Sequence, residues 1–413
     1  MSKMSPLFEI TDSIKLIDTH EHMERTPDES YPGGDLFDII KNTFYLWADL
    51  VSSGMPPTAL DNLEGEDEKK WSVLRNYLPN VINTGFYYGI IKGLRSVYDF
   101  DLTEINDSNW KELNERIKTA YKDPLWPEKI LREKTHIEKA INDVDGFNMN
   151  SSMFLPAIKF DYLVSRVTKG ENSSEDGHTE TFDEYIEFID HKLDEFKIKR
   201  AVALKTVTPY YRGFDYVDVP EFEVRRIFET KGKLSDNDKK SIEDFTFHFI
   251  IRKAIELELP IQIHTGILAW NQVILDHCNP AVLNSFFLQY PKCQFILFHG
   301  GFPFIEETGA LVKAFPNVFL DFCWLPWISQ SITKRCLHDW LDLIPYNKLM
   351  WGGDAHRAEC IHGHWLIAQE TVVEVLRERI HENRLSLDAA TAITKGIFRN
   401  NAINIFRLDL PQE

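Results

Sequence analysis

From residue 136 onward the chain alternates between short apolar, β-branched runs and amphipathic stretches of roughly 10–15 residues. The runs fall near 137–144, 152–159, 201–207, 260–264, 293–299, 317–322 and 347–354, and an earlier one, IKLIDTH, covers 14–20. Helices of this length between strands imply parallel βαβ units. Eight such units in order predict an α/β fold, a (β/α)8 TIM barrel, over an open sheet. No glycine-rich fingerprint follows the first strand, which argues against a dinucleotide-binding fold.

One segment, about 31–135, breaks the rhythm. It holds Pro56-Pro57, an acidic turn at 64–67 and helical patterns such as WSVLRNYLPNVINTGFYYGIIKGLRSVY. We read it as a mostly helical insertion after strand 1, within a single domain spanning 1–413. Its aromatic stripe reads as packing. Ser108 is the expected cap of the helix in SNWKELNERIKTAYKD, and Thr181 with Glu184 a capping box for the helix that follows. The stretch KGENSSEDGH reads as a polar loop, and 208–240 as a polar excursion.

Sixty-four acidic against 46 basic residues give a formal charge of −18. That balance disfavours nucleic acid and anionic membrane as partners. Five scattered cysteines with no CxxC pair indicate no disulfide framework. No run approaches the roughly 18 apolar residues of a membrane span. A cytoplasmic protein with a small-molecule substrate is expected, and a homo-oligomer is open.

A barrel of this kind carries its chemistry at the C-terminal ends of its strands. His20 and His22 end strand 1, two apart and so on one side of an extended segment. Lys205 is late in strand 4, His264 ends strand 5, His299 ends strand 6 and Asp354 ends strand 8. Singly, each has an ordinary reading: a core histidine, a helix cap, a snorkelling lysine. Together they mark one mouth, where imidazoles and a carboxylate suit a divalent transition metal. Glu21 lies between the two histidines and should face the opposite way, in a structural role. Asp18 shares the histidines' side and supports them. His356, Trp324 and Trp327 are candidate pocket walls.

The motifs DTHEH, IHTG, FHGG and WGGDAH resemble the amidohydrolase superfamily, in its amidohydrolase-2 branch, over residues 10–30 and 136–410. LKTVTPYYRG and HGGFPFIEETGALVKAFPNVFLDF resemble stand-alone relatives of the amidohydrolase domain fused to glutamine-synthetase-like proteins. The insertion is similar to that of uronate isomerases. The resemblance implies that His20, His22, His264 and Asp354 bind one divalent metal, zinc or else manganese. Asp354 would also be the proton-transfer base, and His299 a catalytic neighbour of the reacting oxygen or a ligand of a second metal. Lys205 would either be carboxylated and bridge two metals or, as we prefer, bind an anionic substrate group. Arg212 and Arg357 could join it as carboxylate forks, or serve in surface charge pairs. The expected reaction is hydrolysis of a C–N or C–O bond in a small anionic molecule. Decarboxylation of a small acid, sugar-acid isomerisation and ligand binding without catalysis are the alternatives.

Overall fold

The computed structural model describes residues 6–23, 34–143, 152–170, 173–174, 177–230 and 233–413. Eight parallel strands form one sheet in chain order: β1 Leu16–Glu21, β2 Ile137–Asp143, β3 Phe154–Lys159, β4 Ala203–Thr206, β5 Ile261–Ile263, β6 Phe295–Leu297, β7 Val318–Asp321 and β8 Leu349–Met350. All eight strands foreseen are present, each shorter than its apolar run. Strands buried on both faces read as continuous apolar runs, which is why the sequence marks their existence better than their ends.

The barrel closes where the chain leaving β8 meets β1. Thr19 N–H donates to Trp351 O (3.4 Å), Asp354 N–H to His20 O (2.7 Å) and His22 N–H to Ala355 O (3.1 Å). This contact needs Gly352 and Gly353. A Cβ on Gly352 would lie 2.7 Å from the His20 nitrogen, and one on Gly353 would overlap the Glu21 carboxyl. The β1–β2 register also shifts between Asp18 and Glu21. That irregularity corrects the expected orientation of Glu21: its carboxyl turns towards Asp18 instead of to the opposite face, and accepts a hydrogen bond from Ala355 N–H (2.9 Å). Burial pushes both carboxyls up, Asp18 to about 7.

Among the described residues, 34–135 hold only helices and turns, including Leu36–Asn42, Phe44–Ser52, Asp67–Leu74, Gly85–Tyr98 and Trp110–Ala120. The helix Gly85–Tyr98 lies directly on Ala358–His381, the long helix after β8. Gly85, Gly89 and Gly93 face Trp327 and Glu359, and Gly363 faces Gly89. A methyl group at Gly85, Gly93 or Gly363 would overlap a backbone carbonyl oxygen of the partner segment. Polar contacts clasp the same seam. Tyr98 and Tyr121 donate to the buried Glu359 carboxylate at 2.6 and 3.1 Å. His362 is bonded by Ser96 Oγ (2.9 Å) and Thr135 Oγ1 (3.1 Å).

Burial drives the His362 imidazole down from 6.5 to about 4. The unfolded chain therefore binds a proton that the folded chain refuses between those values, and stability falls as pH drops from about 6.5 to 4. Replacing His362 by Gln should flatten that part of the stability–pH curve in denaturant titrations; an unchanged slope would refute the assignment.

Other local expectations resolve plainly. The Thr181–Glu184 capping box is present on Phe182–Ile198. Ser108 is not a cap: Asn109 holds the N-cap position of Trp110–Ala120, and Ser108 Oγ bonds the Asn106 side chain. The 208–240 excursion contains a helix, Glu221–Glu229, and Asp236–Leu257 begins earlier than expected behind Ser235. A helix also covers Pro6–Ser13. Residues 171, 172, 175 and 176 of the polar loop lie outside the described residues. No helix among the described residues is long and apolar enough to cross a membrane.

Candidate active site

A cavity of about 400 Å³ opens at the C-terminal ends of the strands. His20 and His22 from β1, Lys205 from β4, His264 after β5 and Asp354 after β8 all line it. The His20 and His22 rings sit 4.6 Å apart, and Asp354 lies across from them. Its Oδ1 is 3.7 Å from His20 Nε2 and 3.2 Å from His22 Nε2. These three residues offer ligand atoms within 4.8 Å of one another, the spacing of a cation site.

His299 lies one layer deeper. Its Nδ1 is 3.4 Å from Asp354 Oδ2 and its Nε2 is 3.1 Å from His264 Nδ1. His264 Nε2 donates to Ile267 O at 3.1 Å, so both of its nitrogens are engaged away from the His20–His22–Asp354 group. His299, Cys323 and Asp354 form a second close group. Three non-glycine residues at strand ends take left-handed φ: His299 at 59°, Trp324 at 65° and Asp354 at 57°. Such conformations cost on the order of 1–3 kcal/mol each and persist where surroundings enforce them, most often at functional sites.

The electrostatics suit a cation. Burial holds His20 and His264 well below the ordinary imidazole value, and His299 at about 4, so these rings are neutral donors. Burial opposes the charge on Asp354, but His20, His22 and His299 outweigh it and keep the carboxyl well below its usual range. Lys205 is pushed down by burial; its Nζ lies 3.5 Å above the Phe298 ring.

Two sequence candidates are not brought into the cavity. Arg212 is bound to Glu243 (3.0 Å) and Asp244 (2.8 Å), with its guanidinium over Tyr216. Arg357 makes a bidentate pair with Asp38 of the insertion, at 2.7 and 3.0 Å. Both forks are filled by carboxylates of the chain itself, so their placement matches the charge-pair reading. Trp324 and His356 line the cavity, the latter stacked on His22 at 4.9 Å. Trp327 does not; its indole N–H donates to Phe86 O (3.0 Å).

Sequence reasoning missed Tyr45. From the helix Phe44–Ser52 its hydroxyl reaches the cavity and donates to Asp354 Oδ1 at 2.8 Å. Nothing in an aromatic-rich insertion distinguishes this tyrosine from its packed neighbours. Asp143 and Lys159, ending β2 and β3, were also overlooked; they pair at 3.5 Å and line the cavity. Tyr45→Phe should lower kcat about tenfold, the scale of one lost hydrogen bond of about 1.4 kcal/mol to a charged group, with little change in stability. An unaltered kcat would remove Tyr45 from the reaction.

Residues 219–408 match a family model described as Amidohydrolase. That match covers a little under half of the chain, from the segment before β5 to the C-terminal helices. Protein fluG of Emericella nidulans is 29% identical over 170 residues, which are 38% of this chain. The match spans 20% of that relative. Among solved structures, glucuronate isomerase of Caulobacter crescentus superposes with a TM-score of 0.78 at 16% identity, over 98% of this chain and 94% of its own. Uronate isomerase of Thermotoga maritima gives 0.76 at 16% identity, over 97% and 96%. A presumed metal-dependent hydrolase of Lactobacillus casei gives 0.66 at 16% identity, also over 97% and 96%. The fold of this chain is thus shared over nearly its whole length with these proteins.

Proposed function

We propose that this chain is a metal-dependent hydrolase that cleaves a C–N or C–O bond of a small anionic molecule. The observation that carries the reading is the Asp354 carboxylate, facing His20 and His22 on one side and His299 on the other, at the floor of the cavity. His20, His22 and Asp354 supply three donors, two imidazoles and a carboxylate, which fits a catalytic zinc or manganese site with a position left open. When bound, such a cation supplies Lewis acidity and lowers the pKa of water towards 7.

The chain's own groups do the rest. Asp354 is ionised and accepts a proton in the reaction, and Tyr45 O–H fixes the orientation of its Oδ1. His264 and His299 are bonded to each other at 3.1 Å, and His299 Nδ1 stands 3.4 Å from Asp354 Oδ2, orienting that carboxylate. Lys205 places a cation for the substrate's anionic group, and Tyr210 and Trp324 form aromatic walls of the cavity.

A second reading, isomerisation of a sugar acid, is favoured by the fold likeness to uronate isomerases across the inserted helices. One experiment separates them. Metal-replete protein is offered a panel of N-acyl and ester-linked small acids, a panel of uronates and a panel of small carboxylic acids. Release of amine or alcohol supports hydrolysis. An aldose–ketose change or carbon dioxide release, without hydrolysis, overturns it.

A further inference from the structure

The cavity mouth differs from one side of the barrel to the other. On the side of β2, β3 and β8 the lining includes Asp143, Lys159 and His356. On the side of β4 and β5 it carries Val207, Tyr210 and Tyr211 from one loop and Ala269 and Trp270 from the next. Lys205 and His264, from the same two strands, are buried, whereas Tyr211 and Trp270 are 68% and 52% exposed. These two rings therefore line the cavity with surface that a ligand can reach. Single exposed aromatics are ordinary on a protein surface. Two on adjacent loops at one cavity mouth form a patch of the site itself.

Both rings are also held in place. Trp270 stands between two anchored neighbours. Ala269 N–H donates to Tyr210 Oη at 3.0 Å, which ties the β5 loop to the β4 loop. Asn271 Nδ2 donates to Ser52 Oγ at 2.9 Å and to Ala48 O at 3.2 Å, which ties the other side of Trp270 to the inserted helices. Lys169 Nζ sits over the Tyr211 ring at 5.4 Å, a cation–π contact. Tyr210 packs edge-on against His264 at 5.0 Å. An indole whose backbone is fixed on both sides loses little freedom when a ligand covers it, so its burial comes at low entropic cost. Rings of this kind favour another flat apolar ring, in offset or edge contact at centroid separations of about 4.5–7 Å. A ligand carrying hydroxyls on this side would set polar atoms against ring faces and gain less. The cavity's volume of about 400 Å³ lies within the range, roughly 300–1,000 Å³, of sites that enclose ring-bearing small molecules.

We propose that the substrate is bipartite, with an aromatic ring seated at the mouth against Trp270 and Tyr211 and its anionic, reacting part at the floor beside Asp354, which makes Trp270 the specificity-determining residue. The proposal rests on the reading of this cavity as the substrate site and adds the apolar half of the substrate.

The test is binding, which is independent of turnover. Titration calorimetry on the protein as purified, at pH 7, uses phenylacetate, phenylpropionate and phenylbutyrate, their cyclohexyl counterparts, the matching ring-free carboxylates and glucuronate. The best phenyl acid should bind at least about tenfold tighter than its ring-free carboxylate and than glucuronate, and at least about threefold tighter than its cyclohexyl counterpart. Trp270→Ala should erase the phenyl preference while leaving the ring-free carboxylate within about twofold, and Trp270→Phe should keep most of it. Tyr211→Ala should weaken the phenyl acid by a smaller factor. Equal affinities for ring-bearing and ring-free acids, a phenyl preference that survives Trp270→Ala, or no binding by any phenyl acid of the series would each overturn the proposal. Cleavage of aliphatic amides or esters alone would overturn it and leave the hydrolase reading standing. Phenyl acids bound with no aryl amide or ester cleaved would instead overturn only the hydrolase reading.

Discussion

Asp354→Asn should leave a folded protein that has lost both most of its bound metal and its activity. The neutral amide cannot take a proton, and general-base contributions of this kind are worth roughly 10²–10⁴ in rate. It also removes the negative charge that faces His20 and His22 at 3.7 and 3.2 Å, so the metal-to-protein ratio after dialysis should fall well below that of the parent. The two readouts report different roles. Metal retained with activity lost would restrict Asp354 to proton transfer. Both retained would remove it from the site. The backbone change is small, because Asp354 N–H to His20 O is a main-chain bond that the asparagine keeps.

The second large effect is structural. Gly363→Ala places a methyl group 2.1 Å from the Gly89 carbonyl oxygen, with the Gly93 nitrogen in tight contact at 3.0 Å. Both obstacles are backbone, so neither can rotate aside, and the two helices must part. Overpacking of this kind costs about 1–3 kcal/mol, and separation of a buried seam adds to it. We expect the denaturant midpoint to drop accordingly, and catalytic activity to drop too, because Phe86 on the displaced helix stacks on Tyr45 at 5.3 Å. Gly213→Ala is the control: its Cβ would meet neighbours no closer than 3.7 Å. An equal effect of both changes would refute the seam argument.

Much of this molecule is legible from the sequence for a simple reason. A parallel barrel buries its strands on both faces, so each strand is an apolar run, and its catalytic mouth collects whatever polar residue ends the run. That logic finds His20, His22, Lys205, His264, His299 and Asp354. It applies equally to Asp143 and Lys159, which end β2 and β3, yet those residues sit in no recognisable motif. Arg212 and Arg357 lie near the right loops and were still placed elsewhere, because a guanidinium's direction depends on where acids lie in space. The partner of Arg357, Asp38, is 319 positions away. Tyr45 is hidden for the opposite reason. Its environment is aromatic, so only the fold reveals that one ring end reaches a carboxylate. The bulge that turns Glu21 is likewise a property of strand pairing and leaves no mark in local residue order.

The glycine seam has a kinetic consequence. An inserted segment over an active-site mouth invites the picture of a lid that lifts for each turnover. Here that segment is fused to the helix after β8 along a backbone-to-backbone contact, and elsewhere on the cavity rim Tyr211 and Trp270 stand 68% and 52% exposed. The rim loop is joined to the insertion through Asn271, whose amide donates to Ser52 Oγ at 2.9 Å and Ala48 O at 3.2 Å. A segment held this way should not swing as a domain, so the dwell time of a bound molecule should be insensitive to solvent viscosity; a dwell time that rises with viscosity would refute the fixed seam.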